Sequence, residues 1–134
     1  MLHTLLSCGA LVAVTVAVHA AGLSAVLVVG TRLLARPPTS FWPIAWLLIR
    51  LTWWLILIHL VEISVWGSFY SWQECLPDTE SAFYFSGVTY TTVGYGDVLL
   101  AEQWRLFAPV EGLTGIFFAL VSRLFGHALE TKSS

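Results

Sequence analysis

Three long apolar stretches divide the chain, and few polar positions interrupt them. Leu5 to Gly30 contains no charged residue. As a helix, at ~1.5 Å per residue, it would run about 39 Å, enough to cross a ~30 Å hydrocarbon core with tilt. Its many valines would also suit a strand, but an isolated strand leaves backbone groups unpaired in lipid, so the pattern predicts a helix over 1–34. A signal peptide would need a basic region ahead of the apolar run, and no Lys or Arg precedes Arg32. Pro37 and Pro38 stop any helix, and Pro43 can open the next one, so 35–43 reads as a loop. The second apolar stretch covers 44–66 and carries Arg50, His59 and Glu62. The third covers 104–129 and carries Arg105, Glu111 and Arg123.

Composition agrees with the pattern. Of 134 residues, 57% are hydrophobic and 10% charged, and the mean hydropathy is +0.81. An ordinary soluble domain carries roughly 25% charged residues. These values exclude a disordered chain, a basic nucleic-acid binder and a disulfide-rich scaffold, and they predict an integral membrane protein. The net charge of −2 adds little; the placement of charge adds more. Arg32 and Arg36 lie in the first loop, Arg50 just beyond it, and Arg123 and Lys132 near the C-terminal end. Basic residues favour the cytoplasmic side, which puts the N-terminus outside and the C-terminus inside a multi-pass cell-membrane protein. Trp42 and Trp46 then fall at the inner interface, and Trp66, Trp72 and Trp104 at the outer one.

The segment between the second and third spans holds Ser81-Ala-Phe-Tyr-Phe-Ser-Gly-Val-Thr-Tyr-Thr-Thr-Val-Gly-Tyr-Gly-Asp97. It is too apolar for a free outer loop. Residues 82–91 would make ~15 Å of helix, about half a membrane. Residues 92–96, extended at ~3.3 Å each, would climb roughly 16 Å back out. Extended backbone at membrane depth is allowed only where protein buries it or water lines it. Gly94 and Gly96 permit left-handed dihedrals at alternate positions, which lets successive carbonyls face one side. A column of carbonyls is a cation site. One chain cannot surround an ion, so several copies must meet at an axis.

Thr91-Thr92-Val93-Gly94-Tyr95-Gly96-Asp97 resembles the filter signature of the potassium-channel pore-domain family, whose TVGYG loops are the standard example of carbonyl coordination of K⁺. The order of outer helix, pore helix, filter and inner helix is similar too. The resemblance covers about 44–129 and suits the prokaryotic two-helix pore type with an added N-terminal helix. It implies a homotetramer in a lipid bilayer. The carbonyls of Thr92, Val93, Gly94 and Tyr95 and the Thr92 hydroxyl would replace the water shell of K⁺, with Gly96 closing the filter. Asp97 would sit at the outer mouth, gather cations and brace the filter. Two positions depart from the family pattern. Tyr84-Phe85 stands where many members have paired tryptophans, and Val88 where some bacterial members have a glutamate. Fewer bonds would then hold the filter, and it is expected to inactivate readily.

Other residues carry open alternatives. Glu111 in the third span could line the cavity, brace the back of the filter, or make a structural bond to a neighbouring helix. Gly112 and Gly115 follow, Gly115 as the candidate hinge and Gly112 as a packing position. Pro109 could kink the helix or sit in its first turn. Glu62 is expected to pair with Arg105. The four histidines show no metal-ligand spacing, and His19 and His59 read as packing or hydrogen-bonding residues. Gly9, Ala13, Ala17, Ala21 and Ala25 make a small-residue stripe suited to close helix packing. Cys8 and Cys75 could form a bridge within or between chains.

The expectation is therefore an all-α membrane protein. Its N-terminal helix (1–34) and loop (35–43) precede a pore domain (44–134) with outer helix 44–66, pore helix 82–91, filter 92–96 and inner helix 104–129. K⁺ is the permeant ion, and no cofactor, nucleic acid or catalysis is implied. Two other readings fit the same residues: a weakly selective Na⁺/K⁺ channel and a nonconducting accessory subunit.

Overall fold

The apolar runs become helices because every backbone donor and acceptor can be paired inside a helix. A computed structural model describes residues 2–34 and 40–131. In order they form α1 (Leu2–Leu34), α2 (Phe41–Trp72), α3 (Thr79–Tyr90), a 3-10 turn (Glu102–Trp104) and α4 (Phe107–Thr131). No strand occurs among the described residues. Three of the helical stretches are long and apolar enough to cross a membrane: Leu2–Arg32, Phe41–Trp72 and Glu102–Leu124.

The element boundaries have local causes. Most of the expected 35–43 loop, Pro37 and Pro38 included, lies outside the described residues. α2 begins at Phe41, within that expected loop, and takes in Pro43, whose missing N–H falls in the first turn where no helical partner exists. It continues past Trp66 to Trp72 because Gly67, Phe69 and Tyr70 are buried. Its 32 residues span about 48 Å, well beyond a ~30 Å hydrocarbon core. The helix ends with Glu74 at φ 49° and the Cys75 N–H donating to the Tyr70 carbonyl at 2.9 Å, a left-handed C-terminal cap. α3 starts at Thr79 because Asp78 caps it: the carboxylate accepts from the Ser81 N–H at 2.8 Å and the Ser81 hydroxyl at 2.9 Å. Those two donors hold the Asp78 carboxyl below its usual range. α4 starts at Phe107, after the separate 3-10 turn, and Pro109 sits in its first turn.

The main core gathers where α2, α3 and α4 converge. Trp66, Phe69, Tyr70, Ala82, Phe85 and Phe107 form it, with Leu11 of α1 against them. Phe69 stacks on Phe107 at 5.2 Å between centroids, and Tyr70 meets Phe85 edge-on at 5.4 Å. Trp66 is therefore core and not a lipid-interface residue, whereas Trp42 and Trp72 are exposed. Phe85 is buried with it, so its ring belongs to the core between α2 and α3.

α1 packs through Leu11, Thr15, His19 and Leu23, one turn apart and all buried. Gly22 lets it approach α2, since a Cβ there would lie 2.7 Å from Ile58 Cγ1. The stripe of Gly9, Ala13, Ala17, Ala21 and Ala25 is exposed and takes no part in this packing. Cys8 and Cys75 are free thiols, both packed at the core.

Candidate functional site

The segment after α3 has an unusual backbone. Thr92, Gly94 and Gly96 have φ of 62°, 51° and 75°, while Val93 and Tyr95 between them stay on the ordinary side. Gly94 and Gly96 reach this region without a Cβ clash. Thr92 has no such freedom; its N–H bonds the Thr89 carbonyl at 2.9 Å, tying the start of the segment to the last turn of α3. The Gly94 N–H bonds the Val88 carbonyl at 3.0 Å. Alternation of hand at every second residue turns successive peptide units the same way. Val93 and Tyr95 are 51% and 71% exposed in the single chain.

Three sets of side chains hold this segment. At its C-terminal end the Tyr84 hydroxyl donates to Asp97 Oδ2 at 2.8 Å, joining α3 to the residue that follows Gly96. Behind α3, Glu111 is fully buried. It accepts from the Tyr70 hydroxyl at 2.7 Å, and Ser86 Oγ meets its other oxygen. Ser86 Oγ also lies 2.9 Å from the Ile63 carbonyl oxygen. Glu111 thus joins α4 to α2 and α3 at once. At the C-terminal end of α3, the Tyr90 hydroxyl donates to Glu62 Oε2. His59 Nδ1 is 3.1 Å from the same oxygen and 2.9 Å from the Tyr90 hydroxyl, and His19 Nδ1 is 2.9 Å from Glu62 Oε1.

α4 passes α3 at its glycines. A Cβ at Gly112 would lie 3.3 Å from the Thr89 carbonyl oxygen, and one at Gly115 would run into the Tyr90 carbonyl. α4 is unbroken through both. Below the segment lies a cavity of about 560 Å³, lined by His59, Tyr90, Thr91, Thr92, Gly115 and Arg123 among others.

The structure brings Asp97, Glu111, Gly112 and Gly115 around α3 and the 92–96 segment, each by a contact stated above. It does not bring Glu62 to Arg105. Glu62 is buried among His19, His59 and Tyr90, and Arg105 lies exposed with Glu102 as its carboxylate neighbour at 3.8 Å. Sequence position had placed both near one membrane face; the direction in which Glu62 points around α2 decided otherwise. Sequence reasoning misses Thr92 as a left-handed residue, Tyr84 as the partner of Asp97, Tyr70 and Ser86 as partners of Glu111, and Tyr90 as a partner of Glu62; His19 and His59 do hydrogen-bond, as expected, with Glu62 the partner it did not name. A polar residue in an apolar run was the available signal for His19.

The sequence pattern of the family described as ion channel matches residues 56–130, more than half of the chain. No curated protein and no solved structure matches it.

Proposed function

The chain belongs to this ion channel family, of the potassium-channel pore-domain type, and on that premise we propose that four copies surround one K⁺-selective pore. α3 is then the re-entrant pore helix, and residues 92–96 are the filter. The carbonyls of Thr92, Val93, Gly94 and Tyr95, with the Thr92 hydroxyl, take the place of the K⁺ water shell. α3 directs the negative end of its dipole toward the ion in the cavity beneath the filter. Asp97, held by Tyr84, raises the local cation concentration at the outer mouth. Glu111 fixes the back of the pore helix, and Gly112 and Gly115 let the inner helix lie against it. The N-terminus faces outward and the C-terminus the cytoplasm, the topology that the placement of the basic residues favours.

The alternation of φ at Thr92, Gly94 and Gly96 within the Thr-Thr-Val-Gly-Tyr-Gly-Asp motif carries this reading. A carbonyl column needs that alternation; a structural loop does not. The test is cation flux into liposomes containing the purified protein, K⁺ against Na⁺, with Gly94→Asp alongside. K⁺ flux well above Na⁺ flux, lost in the variant, is expected. Equal fluxes refute K⁺ selectivity. No flux from a folded tetramer refutes a self-sufficient pore and favours an accessory subunit.

A further inference from the structure

Two imidazoles and a carboxylate converge where α1 meets α2. His19 is on α1, and His59 and Glu62 are on α2 one turn apart. Their ligand atoms all lie within 4.8 Å of one another. Each Glu62 oxygen faces one imidazole: Oε1 is 2.9 Å from His19 Nδ1, and Oε2 is 3.1 Å from His59 Nδ1. Glu62 is fully buried and His19 is 4% exposed. His19 Nε2 has no hydrogen-bond partner, and the ring is stacked on Phe118 at 4.3 Å between centroids.

We infer that His19, His59 and Glu62 form a binding site for a transition-metal dication of the Zn²⁺ class. Two histidines and a glutamate with an open fourth position are a recurrent zinc set. Metal–ligand bonds of ~2.0–2.1 Å in a tetrahedron put neighbouring ligand atoms roughly 3.3 Å apart. The observed 2.9 and 3.1 Å run to the two different oxygens of Glu62, so the carboxylate would meet the ion through both oxygens or turn to present one, within the 4.8 Å that encloses the ligand atoms of all three residues. Mixed nitrogen and carboxylate donors select such ions over K⁺ or Mg²⁺, which prefer oxygen alone. On binding, each ring carries its proton on Nε2 and turns the Nδ1 lone pair to the metal. The Tyr90 hydroxyl stays on Glu62 Oε2 and orients the carboxylate, as outer partners of metal ligands commonly do. His59 is 27% exposed and lines the cavity below residue 92, which gives the ion its entry path.

The consequence is mechanical. His19 lies outside residues 56–130, so the ion would fasten the added helix to the family domain. It does so next to Tyr90, the last residue of α3. The site stands on the geometry of one chain and does not depend on conduction.

The experiment uses the purified full-length protein, titrated with Zn²⁺ by calorimetry and with Co²⁺ by visible absorption. Wild type, His19→Gln, His59→Gln and the control His3→Gln are compared. Glutamine keeps a donor for Glu62 but removes the imidazole ligand. One ion per chain and a tetrahedral Co²⁺ spectrum are expected. Affinity should fall at least ~10-fold in either ligand variant and hold in the control. No binding by wild type, or binding and spectrum unchanged in His19→Gln, overturns the proposal. Should His19→Gln fail to fold, His59→Gln decides by the same criterion.

Discussion

Gly112 and Gly115 both face α3, yet an added methyl should act oppositely at the two. At Gly112 the Cβ would lie 3.3 Å from the Thr89 carbonyl oxygen and 3.9 Å from Thr92 Cγ2. A shift of a few tenths of an ångström accommodates it. Alanine is favoured over glycine by about 1 kcal/mol in a helix interior, so Gly112→Ala should be neutral or slightly stabilising. At Gly115 the Cβ would run into the Tyr90 carbonyl oxygen, with the carbonyl carbon at 3.1 Å and the ring's Cδ1 at 3.3 Å. That oxygen belongs to backbone and cannot rotate aside, so α4 must move off α3. Overpacking of this kind costs about 1–3 kcal/mol, sometimes more, and outweighs the helix gain. At roughly 4 °C per kcal/mol for a chain of this size, Gly115→Ala should melt several degrees below Gly112→Ala. Thermal unfolding of the detergent-purified proteins measures the difference. Flux in liposomes shows whether the displaced helix also disturbs residues 92–96. Equal melting temperatures, or a higher one for Gly115→Ala, would refute the claim that α4 bears on the Tyr90 carbonyl.

Three further outcomes follow from single contacts. Tyr84→Phe removes the Asp97 bond, worth about 0.5–1.5 kcal/mol, and should hasten loss of current during sustained opening; currents as stable as wild type would dismiss the bracing role. Glu111→Leu strands the Tyr70 hydroxyl in the core at about 1–3 kcal/mol, while Ser86 keeps the Ile63 carbonyl as acceptor; Glu111→Gln retains an acceptor for Tyr70 and should lose less, and melting temperatures in the reverse order would contradict the network. Asp78 is held below its usual pKa by Ser81, so its contribution is full above the unfolded value of ~3.9 and is lost as pH falls through the folded one. The stability gap between wild type and Asp78→Ala should therefore close on acidification below about pH 4, and a gap that widens would reverse the sign.

Much of the site was legible because it is written in consecutive residues. Gly94 and Gly96 announce left-handed backbone by lacking a Cβ. Thr92 carries no such mark, since its conformation is imposed by the Thr89 carbonyl and the end of α3. The spans were legible from hydropathy, but their ends were not. Trp66 reads as an interface residue by type and is core by position, because α2 runs past it to Trp72.

The polar residues within the spans follow a rule that explains why their partners were hidden. A hydroxyl can satisfy itself locally: Thr15 bonds the Leu11 carbonyl one turn back, and Ser64 the Leu60 carbonyl. A carboxylate cannot. It only accepts, the helix carbonyls beside it also only accept, and the helix N–H groups are already used. Apart from a side chain one turn away, as His59 is beside Glu62, both carboxylates must therefore draw donors from other helices. They do so from His19 and Tyr90 in one case, and from Tyr70 and Ser86 in the other. Lipid supplies no donor, so neither carboxylate can face it. Each of these two buried acids thus compels a junction of helices, and the two junctions meet α3 one turn apart, at Ser86 and at Tyr90. The sequence states that such junctions must exist; the rotation of each helix about its axis, which a linear pattern does not contain, selects the donors. That is why Glu62 was assigned to Arg105 on depth alone, and why the imidazole of a helix 43 residues away took the place instead.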